Sequence, residues 1–175
     1  MVPKFTVDWE DWYNAVIDKS LWNQIPVSIA LFETTLYLLR VLDEHKIKAI
    51  FYILGHTRDV NHFAYKAIVS AGHTIGSHGY WHGHNEHSES ELFRSPYWDT
   101  TPLPGLCGGF FFRLLPLWLI KREIKRTGIF YLHPHDIMLI HPNLKNPILN
   151  WKRKVGLKHA RGKLERLLNE VSFSN

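Results

Sequence analysis

Ile47-Lys48-Ala49-Ile50-Phe51-Tyr52-Ile53-Leu54, "IKAIFYIL", is an apolar, β-branched and aromatic run interrupted only by Lys48. A run this short and this apolar predicts a strand buried on both faces, as strands of a parallel sheet are. Gly55 is expected to end it. Upstream, Ile29, Phe32, Leu36 and Leu39 recur at spacings of three and four, which predicts an amphipathic helix entered after Pro26 and continuing to Glu44. Downstream, Asn61 is placed to cap a short helix through Ala71, Gly72 supplies a left-handed stop, and "HTIGS" (His73–Ser77) reads as the next strand.

The same alternation holds at both ends of the chain. Lys4–Val7 reads as a strand running into Asp8-Trp9-Glu10-Asp11. Pro116 begins a helix to Thr127 that Gly128 stops, "IFYLH" (Ile129–His133) is another buried strand, and a last helix is expected from Val155 to Glu170. Between them, Arg94–Gly109 carries three prolines and three glycines, the composition of an ordered loop. Alternating strand and helix predict a largely parallel α/β sheet or barrel with its site at the C-terminal ends of the strands.

With 175 residues, 45% of them hydrophobic, the chain can bury one ordinary core, and a single domain over residues 1–175 is expected. Glu33, Arg40 and Arg113 break the longest apolar runs, so no transmembrane segment is expected. The opening "MVPKFTVDWE" lacks the pattern of a secretion signal, and Cys107 is the chain's one cysteine. Both favour a cytoplasmic location. The net charge is +5, yet the segment from Trp151 to Arg166, where seven lysines and arginines face Glu165 alone, carries about +6 by itself, so the rest of the chain is nearly neutral. A solvated helix face is the first expectation for that segment, with an anionic substrate, lipid headgroup or nucleic acid as alternatives.

Three polar clusters fall at the ends of expected strands: Asp8-Glu10-Asp11, His78-His82 and His133-His135-Asp136. His78 and His82 are four apart, a spacing that can bring two imidazoles onto one metal but that a histidine-rich surface loop matches equally well. Two imidazoles, a carboxylate and water together make an open catalytic zinc site, so the acidic cluster strengthens the metal reading.

These stretches together resemble the polysaccharide deacetylases of the NodB-homology fold. "FTVDWEDW" is similar to the family's first motif, "SHGYWH" to its second, "FRSPYW" to its third and "FYLHP" to its last. The C-terminal half, with "GGFFFRLLPLWL", resembles a subgroup linked to bacterial exopolysaccharide and O-antigen clusters. The resemblance implies a hydrolase that removes N-acetyl groups from a saccharide with a divalent metal, most commonly zinc. It implies Asp8 as general base, His78 and His82 as metal ligands, and Arg94 as the arginine that orients Asp8. It further implies Tyr97 and Trp98 in the turn that holds oxyanion and substrate, and His133 as general acid. The carboxylate ligand falls on Glu10, favoured because strand alternation points it to the side of Asp8, or on Asp11 if the chain turns at once.

The chain departs from the pattern in length. Only Ser95 to Cys107 separates the arginine motif from "GGFFFR", where family members carry further strand and helix units and an Asp-Trp motif supporting the catalytic histidine. The fold class expected is therefore a shortened, distorted and incomplete (β/α) barrel of the NodB-homology type. Asp99 and Asp136 are the candidates to replace the missing histidine partner, and a second copy in a homo-oligomer could cover the gap. The partner expected is an acetylated saccharide, anionic or linked to a nucleotide or lipid, with no nucleic acid. Two alternatives stand beside it: a catalytically weak metal- or sugar-binding module of the same fold, and a hydrolase of another small-molecule C–N amide bond.

Overall fold

The computed structural model describes residues 2–14, 28–80 and 106–174. Among them, β1 (Lys4–Trp9), β2 (Ile50–Ile53), β3 (Thr74–Ser77) and β4 (Ile129–Leu132) form one sheet in the order β3-β2-β1-β4, every pair parallel. The order reverses at β1: the chain steps outward to β2 and β3, then returns to place β4 on the other side. In open α/β sheets the crevice at such a reversal, beyond the carboxyl ends of the strands, is where ligands bind.

The sheet has one dry face. Phe5, Val7 and Trp9 of β1, Phe51 and Ile53 of β2, and Phe130 and Leu132 of β4 are all buried, and pairing in register points them to the same side. Leu31, Leu38, Val41 and Leu42 of α1 (Ile29–Glu44) pack into the same core, as do Ile120 and Ile124 of α5 (Leu117–Thr127) and Ala160, Leu164 and Leu167 of α7 (Leu157–Glu170). The Trp9 indole N–H donates to Thr35 Oγ1 at 3.0 Å, tying β1 to α1. Thr6 and Asp8 alternate onto the opposite face. Ile50 and Tyr52 stay half-buried there, so β2 is not dry on both faces as its composition suggests.

Several boundaries differ from expectation. The apolar run from Ile47 forms a strand only from Ile50, and Gly55 opens a short helix, α2 (Gly55–Val60), rather than merely ending the strand. Asn61 makes no side-chain cap to α3 (His62–Ser70); its amide donates back to Thr57 O at 3.2 Å, closing the end of α2. Gly72 and Gly128 do adopt positive φ, 72° and 74°, after α3 and α5. "GFFFRL" is a helix in its own right, α4 (Gly109–Leu114).

α7 answers to the last helix expected from Val155, and a further helix, α6 (Pro147–Lys154), precedes it, the two divided by Gly156 at φ 72°. The basic segment is not a uniformly solvated face. Arg161 donates to Ile137 O at 2.9 Å and covers the Tyr37 ring, while the Lys163 ammonium reaches the carbonyls of Phe112 and Leu115 at the end of α4. Those carbonyls have no partner within their helix, which is why a cation from α7 is useful there.

Candidate active site

Strand register assembles the site. Val7 pairs with Leu132, so Asp8 lies level with His133, the residue that follows β4. Trp9 pairs with Ile53 and Ile53 with Ser77, so Glu10, Leu54 and His78 fall in one row just past the strand ends. Asp8 and Glu10 are two apart and therefore project to the same side.

The side chains meet as the backbone places them. His133 Nε2 lies 3.8 Å from Asp8 Oδ2 and 3.8 Å from Glu10 Oε1. Glu10 Oε2 in turn lies 3.9 Å from His78 Nε2. Glu10 and His78 form a buried floor, with side chains 1% and 4% exposed, whereas Asp8 and His133 reach solvent at 23% and 20%. The result is a row of two carboxylates and two imidazoles open at one end.

Below His133 the turn Pro134–Asp136 folds back on it. Asp136 Oδ2 accepts from the His133 backbone N–H at 3.0 Å and lies 2.9 Å from Nδ1 of the same residue. An ionised carboxylate only accepts, so Nδ1 carries a proton and Nε2 is the nitrogen turned toward Asp8 and Glu10. Asp136 itself is held by Arg113 of α4, whose Nε donates to Oδ1 at 3.2 Å. Arg113 also donates to the carbonyls of Arg153 at 2.7 Å, Val155 at 3.0 Å and Lys152 at 3.0 Å.

The electrostatics follow from burial and these contacts. Burial would lower the basicity of His133, but the hydrogen bond and charge of Asp136, with the charges of Glu10 and Asp8, outweigh it and raise its pKa to about 9. Burial also opposes ionisation of Asp136, yet His133, His135 and Arg113 hold it well below the usual carboxylate range. His135, stacked on His133 at 4.7 Å, is pushed well below the ordinary imidazole value by its burial.

Asp11 is buried too, and burial raises its pKa to about 6 despite the backbone N–H of Trp12. Its Oδ1 accepts from that N–H at 2.7 Å, and its own N–H donates to Asn14 Oδ1 at 2.6 Å, so it organises the turn after β1. Among the described residues no ion pair joins Asp11 to His78 or His133, while its Oδ2 has no hydrogen-bond partner. His82, Arg94, Tyr97, Trp98 and Asp99 lie outside the described residues.

The donor set fits a divalent ion. Glu10 Oε2 and His78 Nε2, 3.9 Å apart, are too far for a hydrogen bond to each other and near the roughly 3.4 Å that two ligands at about 2.1 Å subtend on tetrahedral zinc. A second group, His133, His135 and Asp136, also brings its ligand atoms within 4.8 Å of one another. There, however, both Asp136 oxygens are engaged, by Arg113 and by His133.

Residues 27–100 match the polysaccharide deacetylase family model. Residues 95–175 match a domain of unknown function, DUF3473. Each match covers less than half of the chain. The first contains His78, and the second contains Arg113, His133 and Asp136, while Asp8 and Glu10 precede both. No curated protein and no solved structure matches the chain.

Arg113 is a site neighbour that sequence reasoning missed, whereas His135 was named within its polar cluster but given no role. Arg113 stands inside "GGFFFR", where its one local signal was a cation in an otherwise apolar run.

Proposed function

We propose that the chain is a metal-dependent carbohydrate N-deacetylase of bacterial surface polysaccharide metabolism, a single catalytic domain built as a shortened (β/α) barrel of the NodB-homology type. The observation that carries this reading is the convergence of His133 Nε2 on Asp8 and Glu10 with Asp136 behind Nδ1. A site that only bound metal or sugar would need neither a base nor an oriented acid.

Glu10 and His78, with His82, would hold the ion, and Asp11 is the second carboxylate within the same turn. A divalent ion held there would supply Lewis-acid chemistry, polarising the acetamido carbonyl and making water more acidic. Asp8, partly open to solvent, accepts the proton of the attacking water. His133 holds its proton on Nε2 and delivers it to the departing amine nitrogen, leaving acetate and a free amino sugar. Asp136 keeps the imidazole in that tautomer and steadies its positive charge. Arg94 would orient Asp8, and the Tyr97-Trp98 turn would supply an N–H to the oxyanion.

The Arg153 guanidinium of α6 lies within electrostatic reach of Asp136 and Glu10. That placement favours an anionic saccharide, such as an acetamido uronic acid or a phosphate-linked acetamido sugar. The test is acetate release from a panel of acetamido sugars, nucleotide-linked sugars and oligosaccharides, with and without zinc. Zinc-dependent release that Asp8→Asn abolishes is expected; full activity in Asp8→Asn would overturn the mechanism.

A further inference from the structure

The whole of α6 lies on the surface: none of its eight residues is buried. Yet the helix is not polar. Ile148 is 66% exposed and Trp151 55%, and Leu149 is exposed beside them. Ile148 and Trp151 are three apart and so share one side of the helix. Trp151 meets the Phe110 ring at 6.1 Å, and next to Phe110 the exposed Phe111 and Leu114 of α4 extend the apolar surface. The loop that leads toward α6 exposes Leu139 and Ile140 as well.

Along the chain that carries α6 the charge has one sign. From Ile137 to Leu164 the chain carries seven lysines and arginines and no carboxylate. Arg161 and Lys163 are spent on internal carbonyls, and Arg153 is half-buried. Lys145, Lys152, Lys154 and Lys158 remain exposed. An ordinary solvated helix would not display Ile148 and Trp151, and a nucleic-acid contact would have no use for exposed aliphatic chains. A bilayer with anionic headgroups satisfies both: aliphatic and indole groups enter the headgroup boundary while lysines meet the phosphates.

We propose that α6 and the adjoining Phe111 and Leu114 form a docking surface for an anionic lipid bilayer. The protein rests on the membrane through this surface without crossing it; no helix among the described residues is long and apolar enough to span one. Because Arg113 bonds the carbonyls of Lys152, Arg153 and Val155 and also Asp136, the docked surface and the His133 site are joined by one side chain. The proposal does not depend on which reaction the site performs.

Sedimentation of the full chain with vesicles tests it. Vesicles of phosphatidylcholine with phosphatidylglycerol are expected to carry the protein down, and phosphatidylcholine alone is not. Lys152→Glu with Lys154→Glu is expected to weaken binding at least about tenfold, and Ile148→Ser with Trp151→Ser to weaken it comparably. Lys66→Glu, an exposed charge change on α3, should leave binding intact. Since Ile148, Trp151, Lys152, Lys154 and Lys66 are all exposed, all three variants should melt close to the wild type. Absence of binding to anionic vesicles would overturn the proposal, as would binding that survives both α6 variants. So would equal binding to a single-stranded oligonucleotide that is indifferent to Ile148 and Trp151, which would mark a nucleic-acid contact instead.

Discussion

Arg113 Nε donates to Asp136 Oδ1 at 3.2 Å, with both side chains almost wholly buried. The same guanidinium holds three carbonyls of α6 and its C-terminal end, so one residue fixes both the carboxylate behind His133 and the segment above it. Arg113→Ala would leave the buried Asp136 carboxylate with the His133 imidazolium but without its guanidinium, and a loss of about 3 kcal/mol in urea unfolding is expected. Arg113→Lys should recover only part of this, because a point charge cannot span four acceptors. Asp136→Asn combined with Arg113→Ala should cost clearly less than the two single changes summed, which a double-mutant cycle would read directly.

Acid and base should separate from metal binding. His133→Ala and Asp8→Asn are each expected to lower kcat by about 10²–10⁴-fold while zinc affinity stays near wild type. Asp136→Asn should lower kcat with little change in KM, because it acts through the orientation of His133. Steady-state kinetics beside a chelator competition titration would show the split. Loss of zinc in His133→Ala would shift the metal to the His133-His135-Asp136 group.

Glu10→Gln and His78→Ala should remove the metal along with activity. Zinc at about 100 times its Kd should raise the unfolding free energy of the wild type by about 3 kcal/mol and that of these variants far less. Asp11→Asn discriminates between the two carboxylates: retained zinc stabilisation assigns the ligand to Glu10, and its loss assigns Asp11.

Gly108 has an ordinary extended φ of −156°, so its reason for being glycine is space. A Cβ there would sit 2.2 Å from the Tyr131 carbonyl oxygen and 2.3 Å from the Tyr131 ring. Gly108→Ala must therefore push β4 or α4 aside, and a loss of about 1–3 kcal/mol in thermal unfolding is expected. Since His133 directly follows β4, turnover should fall further than stability alone explains.

His73, away from the site, predicts a pH dependence of folding. Burial lowers its pKa to about 4, and Lys48 adds to the effect. The Ala49 N–H donates to its Nδ1 at 3.2 Å, which requires that nitrogen to be unprotonated. The unfolded chain binds this proton from about pH 6.5 downward and the folded chain only near pH 4, so the stabilisation is full above about 6.5 and lost as pH falls toward 4. The loss should reach about 2–3 kcal/mol. His73→Asn, which keeps an acceptor but does not titrate, should flatten that part of the curve in urea unfolding at pH 7 and pH 4.5.

The order of strands and helices was legible because periodicity and stop signals are properties of neighbouring residues. "IFYLH" announces a strand that delivers a histidine, and Gly128 announces the helix end before it. The helix α6 was not legible in that way, since none of its residues is buried to set a period, although the start of α7 was expected within two residues of where it lies. Asp8, Glu10, His78 and His133 were named as candidates from residue type and motif resemblance. Their mutual distances depend on the register of four strands, which no local pattern encodes.

Local sequence determined which segments could be strands, that polar side chains stand at their carboxyl ends, and that Asp8 and Glu10 share a side. Tertiary structure decided that Glu10 rather than Asp11 lies beside both His78 and His133, and that Asp136 rather than open solvent meets His133 Nδ1. It also decided that Arg113, 23 residues before Asp136 in the chain, supplies the buried counter-charge. The physical reason is that a strand's alternation follows from its own backbone, whereas the partner of a buried charge is set by which distant surfaces the core brings together.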